Sequence, residues 1–185
     1  MLKHAEGLKG MERQVILDAV RKAGVIGAGG AGFPTHVKLE ARADLVIANG
    51  AECEPLLQVD QLLMQHQAQR VVMGLEAAML AVGASRGVIA TKKHYHRAVA
   101  GMRAAIKGKP HLSLHLMDSY YPSGDEKSLI HDVTGEVVRS ARLPADYGCV
   151  VLNTGTLKHM ADALEGQPVT DKLVTVCGDV PQPAT

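Results

Sequence analysis

Short aliphatic runs alternate with helix-period segments along this chain, and each run ends in a polar turn. Leu45-Val46-Ile47-Ala48, Gly87 to Thr91 and Val150-Val151-Leu152 are apolar at consecutive positions, as strands covered on both faces are. Around them, Met11 to Ala23, Asp60 to Val82, Tyr95 to Ile106, Asp125 to Thr134 and Thr156 to Leu164 repeat apolar residues at helical spacing, with Gly24, Gly83, Gly135 and Gly166 as stops. His111 to Leu116 alternates instead, which sets Leu112, Leu114 and Leu116 on one face and His111, Ser113 and His115 on the other. This order predicts an α/β layered fold with a largely parallel sheet flanked by helices. Leu173 to Asp179 reads as a further strand and turn without partners after it, so the chain is expected to end at the start of a β-rich domain. The expected division is a tail at 1–10, an α/β domain at 11–170 and the beginning of a truncated β-rich domain at 171–185.

Composition narrows the function. Lys and Arg number 20 against 19 Asp and Glu, and aromatics make up 3% of the chain, which is not the basic, aromatic-bearing footprint of a nucleic-acid binder. No apolar run approaches the roughly 18 residues of a spanning helix, so no membrane insertion is expected. Cys53, Cys149 and Cys177 are scattered and odd in number, which supports neither a disulfide framework nor a metal site and fits a reducing cytoplasm.

The chemistry is concentrated in four turns. Gly27-Ala28-Gly29-Gly30-Ala31-Gly32 lets backbone N–H groups approach a ligand without Cβ obstruction, as a phosphate cradle requires, and it leads into Phe33, the only phenylalanine. Gly27, Gly29 and Gly32 also satisfy the dinucleotide fingerprint, with Glu52 about where a ribose-binding acid belongs, but only Val25-Ile26 precede the loop where that motif needs a strand. Asn49 to Pro55 supplies an amide and two carboxylates after the first aliphatic run. Tyr121 to Lys127 is a turn feeding an acidic helix start, and Asn153 to Thr156 follows the last run. Taken singly, these three read as solvated turn acids or ordinary helix caps. Together with the glycine loop they form the pattern of one composite cofactor site at strand-to-helix transitions.

In order and wording, these turns resemble the flavin-binding subunit family shared by respiratory complex I and Rnf-type electron transport complexes. The segments Phe33-Pro34-Thr35-His36-Val37-Lys38, Ala51-Glu52-Cys53-Glu54-Pro55 and Val59-Asp60-Gln61 are most similar to the Rnf C-subunit-like branch that includes the propanediol-utilisation cobalamin reductases. The resemblance covers roughly Ala19 to the C-terminus. It implies bound FMN and hydride transfer from NADH, with electrons passing to iron–sulfur clusters that lie in later domains of the full-length protein. By position, Gly27, Gly29, Gly30 and Lys38 would hold the phosphate and ribityl end. Asn49 and Glu52 would contact the flavin, Tyr121, Gly124, Asp125 and Glu126 would line it from another turn, and Asn153 and Thr156 would close it. Phe33 and Glu54 match positions facing NADH, and no side-chain catalyst is implied, since hydride transfer needs stacked rings and placement. Carboxylates beside the ring system would lower the flavin's potential.

The chain departs from complex I members at Ala28, where they carry arginine, at Leu152, where they carry asparagine, and at Leu39 to Ala41, where a second aromatic is missing. The implied partners are NADH and other electron-transfer subunits or a downstream reductase, and the implied settings are the cytoplasm, the inner face of a membrane complex or a bacterial microcompartment. Two other readings stand beside this one: an assembly module that keeps the fold with an emptied site, and a Rossmann-type dehydrogenase domain.

Overall fold

The computed structural model describes Leu8 and residues 10–185. Helix α1 (Arg13–Lys22) and the single turn α2 (Thr35–Lys38) flank the glycine loop and lead to strand β1 (Leu45–Gly50). Helices α3 (Val59–His66) and α4 (Ala68–Val82), strand β2 (Arg86–Lys92), helix α5 (His96–Ala105) and strand β3 (Leu112–Met117) follow. Helix α6 (Glu126–Thr134), a 3-10 turn at Pro144–Tyr147, strand β4 (Cys149–Asn153) and helix α7 (Thr154–Leu164) complete the order. All strand pairs are parallel, in the order β3-β2-β1-β4.

Alternation within the strands explains the layers. Val46, Ala48, Ile89, Val150 and Leu152 face one core with Ile16 and Val20 of α1, Met64 of α3, Leu75 of α4, Met102 of α5 and Leu157 of α7. Leu45, Ile47, Val88, Ala90, Cys149 and Val151 face the other, where Leu129 and Ile130 of α6 and Val138 cover them. Both faces of the sheet are therefore buried, as a parallel sheet requires. The predicted α/β layered fold is the one observed.

Several local expectations need correction. The single helix predicted over Asp60 to Val82 is two, because Gln67 leaves helical geometry at φ −126°, ψ 30°. The break sends α3 against α5 and α4 against α7. At the second crossing, a Cβ on Gly74 would lie 1.9 Å from the Leu157 carbonyl oxygen, so only glycine permits the approach. The last helix begins at Thr154 and not Thr156. In β3, Leu116 is exposed while Met117 on the opposite face is buried, because strand β3 is an edge and the second core reaches only its end. Leu173 to Asp179 forms no strand. Val176 makes only an isolated antiparallel bridge with Ala184.

Candidate functional site

Sheet order reverses between β1 and β4, and the register sets Asn49 opposite Asn153 at their carboxyl ends. Such a switch point is where open α/β sheets hold ligands. A cavity of about 640 Å³ opens there, lined by Gly29, Gly30, Asn49, Glu52, Glu54 and Asp60 among others. Its size suits a cofactor, since ligand pockets span about 300–1,000 Å³.

The glycine loop is closed at its neck. Gly27 N–H donates to the Phe33 carbonyl at 2.8 Å, and Ile26 bridges Pro34. Among the described residues no strand precedes the loop, so the context for a Rossmann fingerprint is missing. Ala28 N–H donates to Thr156 Oγ1 at 2.9 Å, which ties the loop to α7. The N–H groups of Gly29 and Gly30, by contrast, have no internal hydrogen bond among the described residues. They stay available to a ligand, whereas the Gly27 amide is occupied by the neck.

Asn49 and Asn153 organise the two strand ends. Asn49 Nδ2 donates to the Gly124 carbonyl at 2.9 Å and its Oδ1 accepts from Ala51 N–H at 3.1 Å. Gly124 N–H donates to Cys53 Sγ at 3.2 Å, and a Cβ on Gly124 would lie 2.1 Å from the Ala51 carbonyl oxygen. The Tyr121-to-Glu126 turn therefore docks on the Asn49-to-Glu54 turn only through glycine. Asn153 Oδ1 caps α7 by accepting from Gly155 N–H at 2.8 Å, while its Nδ2 donates to both Asp60 oxygens at 3.0 and 3.2 Å. Thr154 Oγ1 donates to the same carboxylate.

Asp60, quoted in the Val59-Asp60-Gln61 wording but given no role of its own there, also lines the cavity. It is buried at the start of α3, and burial raises its carboxyl above the usual range against the pull of Thr154 and Asn153. Glu52 is buried beside it, with Oε2 lacking a hydrogen-bond partner among the described residues. Burial first, and then the Asp60 charge, push Glu52 up to about 7, against the N–H groups of Asp60 and Val59 and the Lys92 ammonium. Lys92 Nζ also donates to the Glu52 carbonyl, which fixes the backbone from the end of β2.

Other expected residues lie outside this cavity. Lys38 Nζ pairs with Glu126 Oε1 at 2.7 Å, both side chains half-exposed, and Asp125 accepts from Lys127 and Ser128 N–H as the α6 cap. Phe33 is 52% exposed on the glycine loop. Tyr121 lines a second hollow of about 510 Å³ with Lys92, His94, Tyr95 and Tyr120, and Cys53 and Glu54 border both spaces. Cys53, Cys149 and Cys177 are free. Among the described residues, no helix is long and apolar enough to cross a membrane and no cluster of metal-ligating side chains forms.

The sequence profile of the Nuo51 FMN-binding domain family matches residues 20–162, which takes in the glycine loop, both asparagines and the buried acids. The chain belongs to that family. It is 46% identical over 175 residues to a cobalamin reductase PduS of Citrobacter freundii, an alignment spanning 94% of this chain and 38% of the relative. It is 42% identical over 177 residues to the C-subunit of the Na(+)-translocating ferredoxin:NAD(+) oxidoreductase complex of Acetobacterium woodii, spanning 93% of this chain and 40% of that one. The chain thus spans about two fifths of these relatives' length. An NAD+-reducing NiFe hydrogenase in its H2-reduced state superposes with a TM-score of 0.75 at 26% identity, over 89% of this chain and 33% of that one. This is an FMN-binding domain of the electron-transfer proteins related to the Rnf C-subunit and complex I, an oxidoreductase family.

Proposed function

We propose that the domain takes hydride from NADH onto FMN and delivers electrons to iron–sulfur centres outside this domain, as part of a larger electron-transfer assembly. The carrying observation is the composite cavity, which joins free Gly29 and Gly30 amides to a buried acidic side at Glu52 and Asp60. An anionic phosphate suits the amides, and an uncharged ring system suits the acids. When bound, FMN supplies hydride acceptance and one-electron release. The chain supplies placement. Asn49, Gly124 and Cys53 hold the two turns together, Thr156 holds the glycine loop, and Lys92 holds the Glu52 backbone.

For the nicotinamide nucleotide, the reading rests on Glu54, which borders both hollows, and on the exposed Phe33 ring. Glu54 would accept from a ribose hydroxyl and repel a 2′-phosphate, so NADH is expected over NADPH. Phe33→Ala should lose stacking of about 0.5–1.5 kcal/mol beyond area burial. The test compares flavin content and the rate of flavin bleaching by NADH in Phe33→Ala and Glu54→Gln. Normal flavin with slowed or weakened reduction is expected. If both variants lose FMN, or if NADH does not reduce the wild type, the nucleotide assignment fails. A cavity that takes up no flavin would favour the assembly-module reading.

A further inference from the structure

After α7 the chain turns at Gly166 and runs without regular structure. Val169 N–H donates to the Ala23 carbonyl at 2.9 Å. Asp171, Lys172, Leu173, Val174 and Thr175 then line the large cavity, and Gln58 N–H donates to Thr175 Oγ1 at 3.2 Å. Five cavity-lining residues between two anchors make a strap, formed from residues whose sequence pattern predicts a following domain. Helix α7 contributes Gly155, Lys158 and His159 to the same lining, and their spacing places them on one side of the helix.

The cavity's lining is acidic at Glu52, Glu54 and Asp60 and of mixed charge where α7 meets the strap, with Lys158, His159, Asp171 and Lys172. On the Glu52 side the lining carries carboxyl groups and no cation, so it offers an anion no charge-assisted donor. On the α7 side, cations and acids balance: Asp162 holds Arg70 at 2.9 Å and Lys158 at 2.8 Å, and Glu165 holds Arg70 at 2.8 Å. Lys172 has no ion-pair partner within 4.0 Å among the described residues, and Lys158 keeps further N–H donors beyond its one acidic partner. Where α7 meets the strap, Lys172 and Lys158 therefore offer an anion cationic donors, with Asp171 the acid beside them in the lining.

We propose that the strap at residues 171–175 is a wall of the FMN site and that Lys172 and Lys158 hold the phosphate together with the Gly29 and Gly30 amides, where the family resemblance implies Lys38 with Gly27, Gly29 and Gly30. This rests on the FMN reading above. Lys38 is paired with Glu126 and does not line the cavity.

The experiment measures dissociation rates of FMN and riboflavin from the whole chain by fluorescence stopped flow. Lys172→Gln and Lys158→Gln should each speed FMN release by about five- to tenfold, as expected for a lost charge-assisted contact, and leave riboflavin within about twofold. Thr175→Val, which unpins the strap, should speed release of both flavins. Lys38→Gln tells the two phosphate assignments apart. If it alone loosens FMN, or if the Lys172 and Lys158 variants change neither flavin or both equally, the phosphate assignment is overturned. An unchanged Thr175→Val removes the strap. A wild type that binds neither flavin would instead refute the FMN reading on which the proposal stands.

Discussion

Glu52 is an acid held in a place that disfavours its charge. Its ordinary pKa is 4.5 and its folded value about 7, so between these the native chain keeps a proton that the unfolded chain has released. Its contribution to stability is therefore full below about 4.5 and declines as pH rises through about 7, and Asp60, raised by burial, acts in the same direction. Glu52→Gln, neutral at every pH, should melt a few degrees higher than wild type at pH 8, with the gap closing at pH 5. A gap of equal size at both pH values would show that another group titrates. The sequence marks Glu52 through its place after a strand and through family wording. Asp60 shares that wording through Val59-Asp60-Gln61, yet as a first-turn helix acid it carries no site signal of its own. Its partners Asn153 and Thr154 lie 93 and 94 residues away and meet it only through the fold.

At the level of elements, glycine stops and buried aliphatic runs are legible in the sequence, because each is a local signal: Gly83 and Gly135 do sit in left-handed geometry at helix ends. The break at Gln67 is not legible. Nothing in His66-Gln67-Ala68 resembles a breaker, and what bends the chain is the pull of two separate partners, α5 and α7. The segment after α7 departs from its pattern for a similar reason, since alternation predicts a strand while the neighbouring cavity edge decides the path. Helix α7 also carries the clearest test of the site's framework. Asn153→Ala removes both an N-cap and two donors to buried Asp60, so it should cost more than an ordinary cap, about 2–4 kcal/mol in urea unfolding. A loss under about 0.5 kcal/mol would mean that α7 is held without this residue.

At the level of the whole molecule, the cavity joins elements from both halves of the chain, with glycine-loop residues on one side and β4, α7 and the strap on another. A ligand there bridges distant segments and stabilises only the folded state. With FMN at a hundredfold over its Kd the gain is about 2.7 kcal/mol, which for a chain of this size raises the melting midpoint by about 5–10 °C. Calorimetry with and without FMN checks it, and an unmoved midpoint at saturating FMN would count against a native-state site. The neck of the glycine loop adds a different kind of consequence. Because the Gly27 to Phe33 bond and the Ile26 to Pro34 bridge fix both feet of the loop, residues at its tip can be exchanged over evolutionary time without disturbing the scaffold beneath. Ala28, beside the foot, is tied to Thr156 through its backbone N–H whatever side chain stands there, so one frame can be retuned for different ligands by rewriting a handful of codons.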